Sequence, residues 1–258
     1  MYLAARKGTE AFVMLIIMAV SLSLAAYPIL AESEYQANPY WYRIIGGRPN
    51  TDVVILSRVY EKDSPAYASV LSIPVIHGMR DAELYEQLNR MFYDGIIHFD
   101  HEVEASIQRF LQDSSLSGQQ WPKSITEVDF KVNYNSGGIL SLTVRFSHDF
   151  GFDQRAQFME TVNVDLTTGR VIKFEDLFAS EQERNILLRT INDQIKKSPN
   201  VYFREIRPAD LVELQSFYIR ENKIIIYFDA EAIAPSTFGI PEFEFEVGSA
   251  LNELIRNP

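Results

Sequence analysis

The residues best suited to chemistry lie in "HFDHEVE", positions 98–104. His98, His101 and Glu102 stand at i, i+3 and i+4, so a helix would put two imidazoles and a carboxylate on one face, a donor set for a divalent transition metal. The spacing is not the His-Glu-x-x-His of a metalloprotease. Polar side chains on the solvent face of a long helix are the alternative. No metal site is assigned; these three residues are the candidates if one exists.

Two other clusters invite a chemical reading. Glu242, Glu244 and Glu246 in "EFEFE" fall on one face of a strand, where they could hold calcium or simply face water as like charges. Ser147, His148 and Asp149 have the residue types of a hydrolytic triad. No nucleophile elbow surrounds any serine, however, and sequence neighbours on a strand point to opposite faces. Gly46–Gly47 and Gly137–Gly138 are turn pairs without the lysine and helix of a phosphate loop. No catalytic residue is assigned, no cofactor is expected, and the leaning is against an enzyme.

Composition narrows the classes further. The chain has 258 residues, 47% of them hydrophobic, and no cysteine. Disulfides, thiolate catalysis and cysteine zinc sites are excluded, and a core of this size can do without cross-links. A net charge of −11 repels phosphate backbones, so nucleic acid is not an expected partner, while a cationic partner would be steered favourably.

At the amino end, Arg6 and Lys7 precede "AFVMLIIMAVSLSLAAYPIL". A positive n-region before an apolar h-region is the form of a secretory signal, with Ala31 as the last residue before cleavage. The same run is nearly long enough to be an uncleaved anchor. Both readings put residues 32–258 outside the cytoplasmic membrane, touching it only through this segment if uncleaved. Residues 32–50 read as a linker, whose Tyr40, Trp41 and Tyr42 stack on sugars, sit at a membrane interface, or tie the arm to the body.

Beyond the linker the pattern is regular. "VVILSRVY" and "AYASVLSIPVI" read as strands, with Pro74 marking an edge or a strand end. Asp81 is an N-cap for a helix carrying Leu84, Leu88, Phe92, Ile96, Phe99, Val103, Ile107 and Phe110 on one stripe. Three hairpins follow: 125–134 with 139–148, "QFMETVNVDL" with "RVIKFEDLF", and "QSFYIR" with "KIIIYFDA". Ser180 caps a helix carrying Ile186, Leu187, Ile191 and Ile195, and a last short helix runs through Leu251, Leu254 and Ile255. The fold class expected is α+β: antiparallel sheets built from hairpins, with one long helix and two or three shorter ones packed on them. The division expected is 1–31 signal or anchor, 32–50 linker, and two α+β regions, 51–123 and 124–258.

Three stretches carry a family resemblance. "SVLSIPVIHGMRDAELYEQLN", with Pro74 and Gly78, resembles the domain of unknown function 4163. "VNVDLTTGRVIKFEDLF", with Gly169, Asp176, Leu177 and Phe178, resembles the domain of unknown function 3298. "NKIIIYFDAEAIAPSTFGIPEFEFEV", with Pro235, Gly239 and Pro241, resembles that second domain's C-terminal signature. Together they form the extracytoplasmic part of RsiV-like anti-sigma factors and precede the catalytic domain of some peptidoglycan deacetylases. The resemblance implies a fold-defining crossover at 234–241, and a partner such as peptidoglycan or a basic cell-wall-active protein like lysozyme. Only about a dozen residues precede the h-region, too few for a sigma-binding fold, so direct anti-sigma activity is not expected. No deacetylase domain follows residue 258 and Gly151 is the only glycine of "HDFGFDQRAQ", so neither that enzyme nor a ligand contact at this turn is carried over. The function expected is a non-enzymatic, exported envelope protein that binds a macromolecule. A wall-directed hydrolase or metal-dependent enzyme, or a structural module without ligand, are the alternatives.

Overall fold

Period-two alternation and one long apolar stripe set the architecture. The computed structural model describes residues 36–37, 43–44, 53–79, 81–112, 121–151, 154–178, 180–213, 215–221 and 223–246. The chain runs through β1 (Gln36–Ala37), β2 (Arg43–Ile44), β3 (Val54–Asp63), β4 (Tyr67–His77), α1 (Ala82–Gln112), β5 (Ser124–Ser136), β6 (Ile139–Gly151) and β7 (Gln154–Asp165). It continues through α2 (Phe174–Leu177), α3 (Glu181–Lys196), α4 (Asp210–Glu213), β8 (Gln215–Arg220), β9 (Lys223–Phe228), a 3₁₀ turn (Ser236–Phe238) and β10 (Glu242–Glu246). A seven-stranded sheet has the order β1-β3-β4-β5-β6-β7, with β2 also on β3, and a second sheet is β10-β9-β8. The α+β class holds. The signal segment, Tyr40–Tyr42, Val247 and the helix expected through Leu251 lie outside the described residues.

Packing groups the chain into two units: Met1–Ile45, Ile55–Asp129 and Phe146–Ala156 form one, and Gly46–Val54, Phe130–Arg145 and Gln157–Pro258 the other.

In the first unit α1 lies on β4. The Asp81 carboxylate accepts the Leu84 N–H at 3.0 Å, satisfying one of the free donors at the helix start. Leu84, Leu88, Phe92, Ile96, Phe99, Val103 and Ile107 are all buried, as the stripe predicts, but Phe110 is exposed and packs edge-on against Trp121. One pairing departs from the expected antiparallel plan. β4 and β5 run parallel, from Tyr67↔Ser124 to Leu71↔Val128, the pairing that a crossover containing a helix such as α1 permits and a tight hairpin does not. Pro74 is not a strand end: it lies inside β4, three residues past the Leu71↔Val128 pair with β5, where the inward phase of Tyr67, Ser69, Leu71 and Ile73 shifts to Pro74 and Ile76. A residue without an N–H fits such an irregularity. Just past it, the Asn89 side chain takes both backbone groups of Ile76, at 2.7 and 3.0 Å.

The second unit packs α3 through Leu187, Ile191 and Ile195 into a core with Ile224, Ile226 and Phe228 of β9 and Phe243 of β10. Ser180 begins α3 with a reciprocal cap: its hydroxyl accepts the Glu183 N–H at 3.1 Å and the Glu183 carboxylate accepts the Ser180 N–H at 2.9 Å. Ile186, expected on the buried stripe, is exposed. The second expected hairpin turns as expected but is cut short. The Asp165 N–H donates to the Arg170 carbonyl at 2.9 Å and the Ile172 N–H to the Asn163 carbonyl at 2.8 Å, on either side of the antiparallel bridge Val164↔Val171. The chain then enters α2, since Phe174, Leu177 and Phe178 stand at i, i+3 and i+4, a helical spacing.

Candidate functional site

The segment between β9 and β10 is built to a fixed shape. Ile233 and Ala234 are wholly buried, and Pro235 leads into the Ser236–Phe238 turn, closed by the Gly239 N–H donating to the Ser236 carbonyl at 3.0 Å. Gly239 has φ 82° and ψ −145°, a region closed to residues with a Cβ. The Pro241 carbonyl then accepts the Phe228 N–H at 3.0 Å, which seats β10 against β9 with Phe243 opposite Ile226. Phe243 is buried and Phe245 half-buried, while Glu242, Glu244 and Glu246 face water. Glu244 pairs with Arg220 and Lys223, and Glu246 lies 3.6 Å from Lys223, so these glutamates are engaged by cations from β8 and β9.

This crossover and the loop after α3 together present aromatic side chains. The loop is held at three points. Asn192 on α3 brackets Ile206, accepting its N–H at 2.8 Å and donating to its carbonyl at 3.0 Å. Asp210, 1% exposed, accepts from the Arg207 N–H at 2.7 Å and from the guanidinium groups of Arg204 and Arg207 at 3.1 and 3.3 Å. The Arg204 guanidinium holds this carboxyl well below the usual range. Finally, the Phe203 N–H donates to the Ile233 carbonyl of the crossover at 2.9 Å.

Tyr202 therefore packs on core Phe243 and edge-on to Phe238, with ring centroids 5.8 and 5.7 Å apart. Phe203 and Phe238 remain 62% and 47% exposed. Beside this ridge lies an open groove of about 650 Å³, lined by Thr190, Asp193, Gln194, Lys197, Ser198 and Tyr202. Large rings in water on braced backbone are the feature of this unit that packing alone does not require.

The first unit contains a second cluster, buried. The Tyr67 hydroxyl donates to Asp100, and Thr126 Oγ1 shares a hydrogen bond with His148 Nδ1 at 2.8 Å. Ser69 is the register partner of Thr126. Among the described residues, Ser69 Oγ and His148 Nε2 are buried without a hydrogen-bond partner, the setting in which an internal water is found. Burial pushes the His148 imidazole down to about 4, opposed by the charges of Asp149 and Asp100. Ser69, Asp100, Thr126 and His148 are each 3% exposed or less, so no substrate reaches them. The triad reading fails here: Asp149 accepts the Gly151 N–H at 2.8 Å, while His148 turns to Thr126.

His98 and His101 are half-buried on α1 and Glu102 is exposed. Among the described residues no group of three metal-ligating side chains comes together. Gly78 and Gly169 take φ 88° and 74°; Asp176 accepts the Lys173 N–H at 2.7 Å and pairs with Arg170; Leu177 is buried and Phe178 packs beside it against the core. Sequence reasoning missed Tyr202, Phe203 and Phe238, because an isolated aromatic in a loop has no period to expose it. Asp100 had a legible signal: with Ile96, Val103 and Ile107 it falls on the apolar stripe.

Residues 175–247 match the family model described as a protein of unknown function, DUF3298, and residues 60–148 match the model described as Deacetylase PdaC. The chain is 22% identical over 194 residues to the anti-sigma-V factor RsiV of Bacillus subtilis (strain 168), covering 70% of this chain and 64% of that protein. The chain thus spans less than two thirds of that relative. A crystal structure of a DUF3298 family member from Bacteroides fragilis aligns with a TM-score of 0.58 at 14% identity, over 81% of this chain and 98% of the other, a likeness of fold.

Proposed function

We propose, from this chain's place in the RsiV-like DUF3298 family, that it is an exported cell-envelope protein that binds a macromolecular partner and does not transform one. The observation that carries the reading is the aromatic ridge of Tyr202, Phe203 and Phe238, held by hydrogen bonds on two segments. Exposed rings on rigid backbone recover their lost burial only when a partner covers them, and aromatic anchors dominate binding surfaces. The basic leader with its apolar run supports export, and a net charge of −11 favours encounter with a strongly basic wall-active protein such as lysozyme. Peptidoglycan is the other partner this envelope setting supports. The polar cluster of the first unit is sealed from solvent, which argues against a hydrolase centred there.

The test is retention of the full chain on purified cell-wall sacculi and on immobilised lysozyme. Retention on either supports the reading; retention on neither counts against it.

A further inference from the structure

We infer that the groove beside Tyr202 is a glycan site, taking a short run of β-linked, N-acetylated amino sugars such as the glycan strand of peptidoglycan; this rests on the binding function proposed above. The groove, about 650 Å³, falls within the range of roughly 300–1,000 Å³ usual for ligand clefts. Thr190, Asp193, Gln194 and Lys197 recur at i, i+3, i+4 and i+7, so α3 and its last turn turn one polar face to the groove beside the buried Leu187–Ile191–Ile195 stripe. Ser198 and Tyr202 complete the lining.

That composition is what a sugar demands. A pyranose ring has an apolar C–H face, which an aromatic ring covers, and a rim of hydroxyl and acetamide groups. Those groups need both donors and acceptors, because each loses water on binding. The lining supplies an aromatic ring, hydroxyls, a carboxamide, a carboxylate and an ammonium.

Charge points the same way. Asp193 and Lys197 offset each other within the lining, so the groove lacks the acidity that marks the chain as a whole. A basic protein would gain no local attraction there, while a neutral glycan meets no penalty. Tyr202 also joins the groove to exposed Phe238 through their ring contact, so a chain longer than the groove continues onto Phe238.

Calorimetric titration of the full chain with chitotetraose, a soluble β-1,4-linked tetramer of N-acetylglucosamine, tests the inference. Binding is expected to weaken about tenfold in Tyr202→Ala and several-fold in Asp193→Ala, and to survive in Tyr202→Phe. Asp193 is exposed on α3, so its variant folds whatever the loop variant does. Tetramer binding indifferent to Tyr202→Ala and Asp193→Ala overturns the groove assignment. Failure to bind the tetramer, with sacculi or lysozyme still retained, overturns the glycan inference and leaves the binding function standing. Failure with tetramer, sacculi and lysozyme alike overturns both.

Discussion

The backbone N–H of Phe203 donates to the carbonyl of Ile233 at 2.9 Å. One bond thus couples the loop after α3 to the crossover between β9 and β10, the two segments that bear the exposed rings. Both are pinned independently elsewhere, so the ridge is presented in a set geometry, which lowers the ordering cost a partner must meet.

Asn192→Ala removes both bonds to Ile206 and leaves its N–H and carbonyl unmet. A loss of about 1–3 kcal/mol in stability is expected. Amide exchange at 201–206 should accelerate more than exchange in β9. Urea denaturation and hydrogen exchange check this; unchanged exchange in the loop would show that Asn192 does not brace it.

Asp210→Asn weakens the second brace, and a loss of about 1.5–3 kcal/mol is expected at neutral pH. The sign of the pH effect follows from its depressed folded-state pKa. The stabilisation is present above the ordinary carboxylate range near 4 and is lost as pH falls below it. Wild type and variant should therefore converge in stability at low pH, as followed by denaturation between pH 2 and 7.

Two glycines separate backbone strain from crowding. At Gly239 a Cβ would meet nothing within 4 Å, so Gly239→Ala carries conformational strain alone, about 1–3 kcal/mol. At Gly151, φ 76°, a Cβ would lie 2.2 Å from the Pro122 ring, and clash adds to strain. Gly151→Ala should be the more damaging in urea denaturation. The reverse order would contradict the geometry at one of the two turns.

Between pH 7 and 4, His148 and Glu160 act on stability in opposite directions. The His148 imidazole is pushed down to about 4 by burial, so the unfolded chain takes up a proton near 6.5 and the folded one does not. Stability from this source falls as pH drops from 6.5 to 4, by about 3 kcal/mol. The Glu160 carboxyl is pushed up to about 7 by burial and then by Asp229, so its contribution rises as pH drops from 7 to 4.5. Glu160→Gln should raise stability above pH 7 and uncover the decline due to His148. A variant profile parallel to wild type would show that Glu160 titrates normally.

Much of the fold was legible because periodicity reports burial. The Leu84-to-Ile107 stripe, the Asp81 and Ser180 caps and the "EFEFE" alternation all appear as read. The parallel β4·β5 pair was not, since direction in a sheet depends on where α1 returns the chain and not on any local pattern. The hairpin that stops at Ile172 shows the ambiguity of short apolar runs, where Ile172 and Phe174 fit a strand but Phe174, Leu177 and Phe178 fit a helical turn. Of the aromatic ridge, the Pro235–Gly239–Pro241 frame was legible and the rings were not. What positions Tyr202 and Phe203 is a set of distant polar bonds, from Asn192, Asp210 and Ile233, that no residue spacing announces.

The central claim is that the ridge holds a macromolecular partner. The double variant Phe203→Ser with Phe238→Ser changes two exposed rings and leaves the core intact, so its denaturation midpoint should stay near that of the wild type. Its retention on sacculi or on immobilised lysozyme, whichever holds the wild type, should fall about tenfold or more. Retention equal to wild type in a folded double variant would contradict the account.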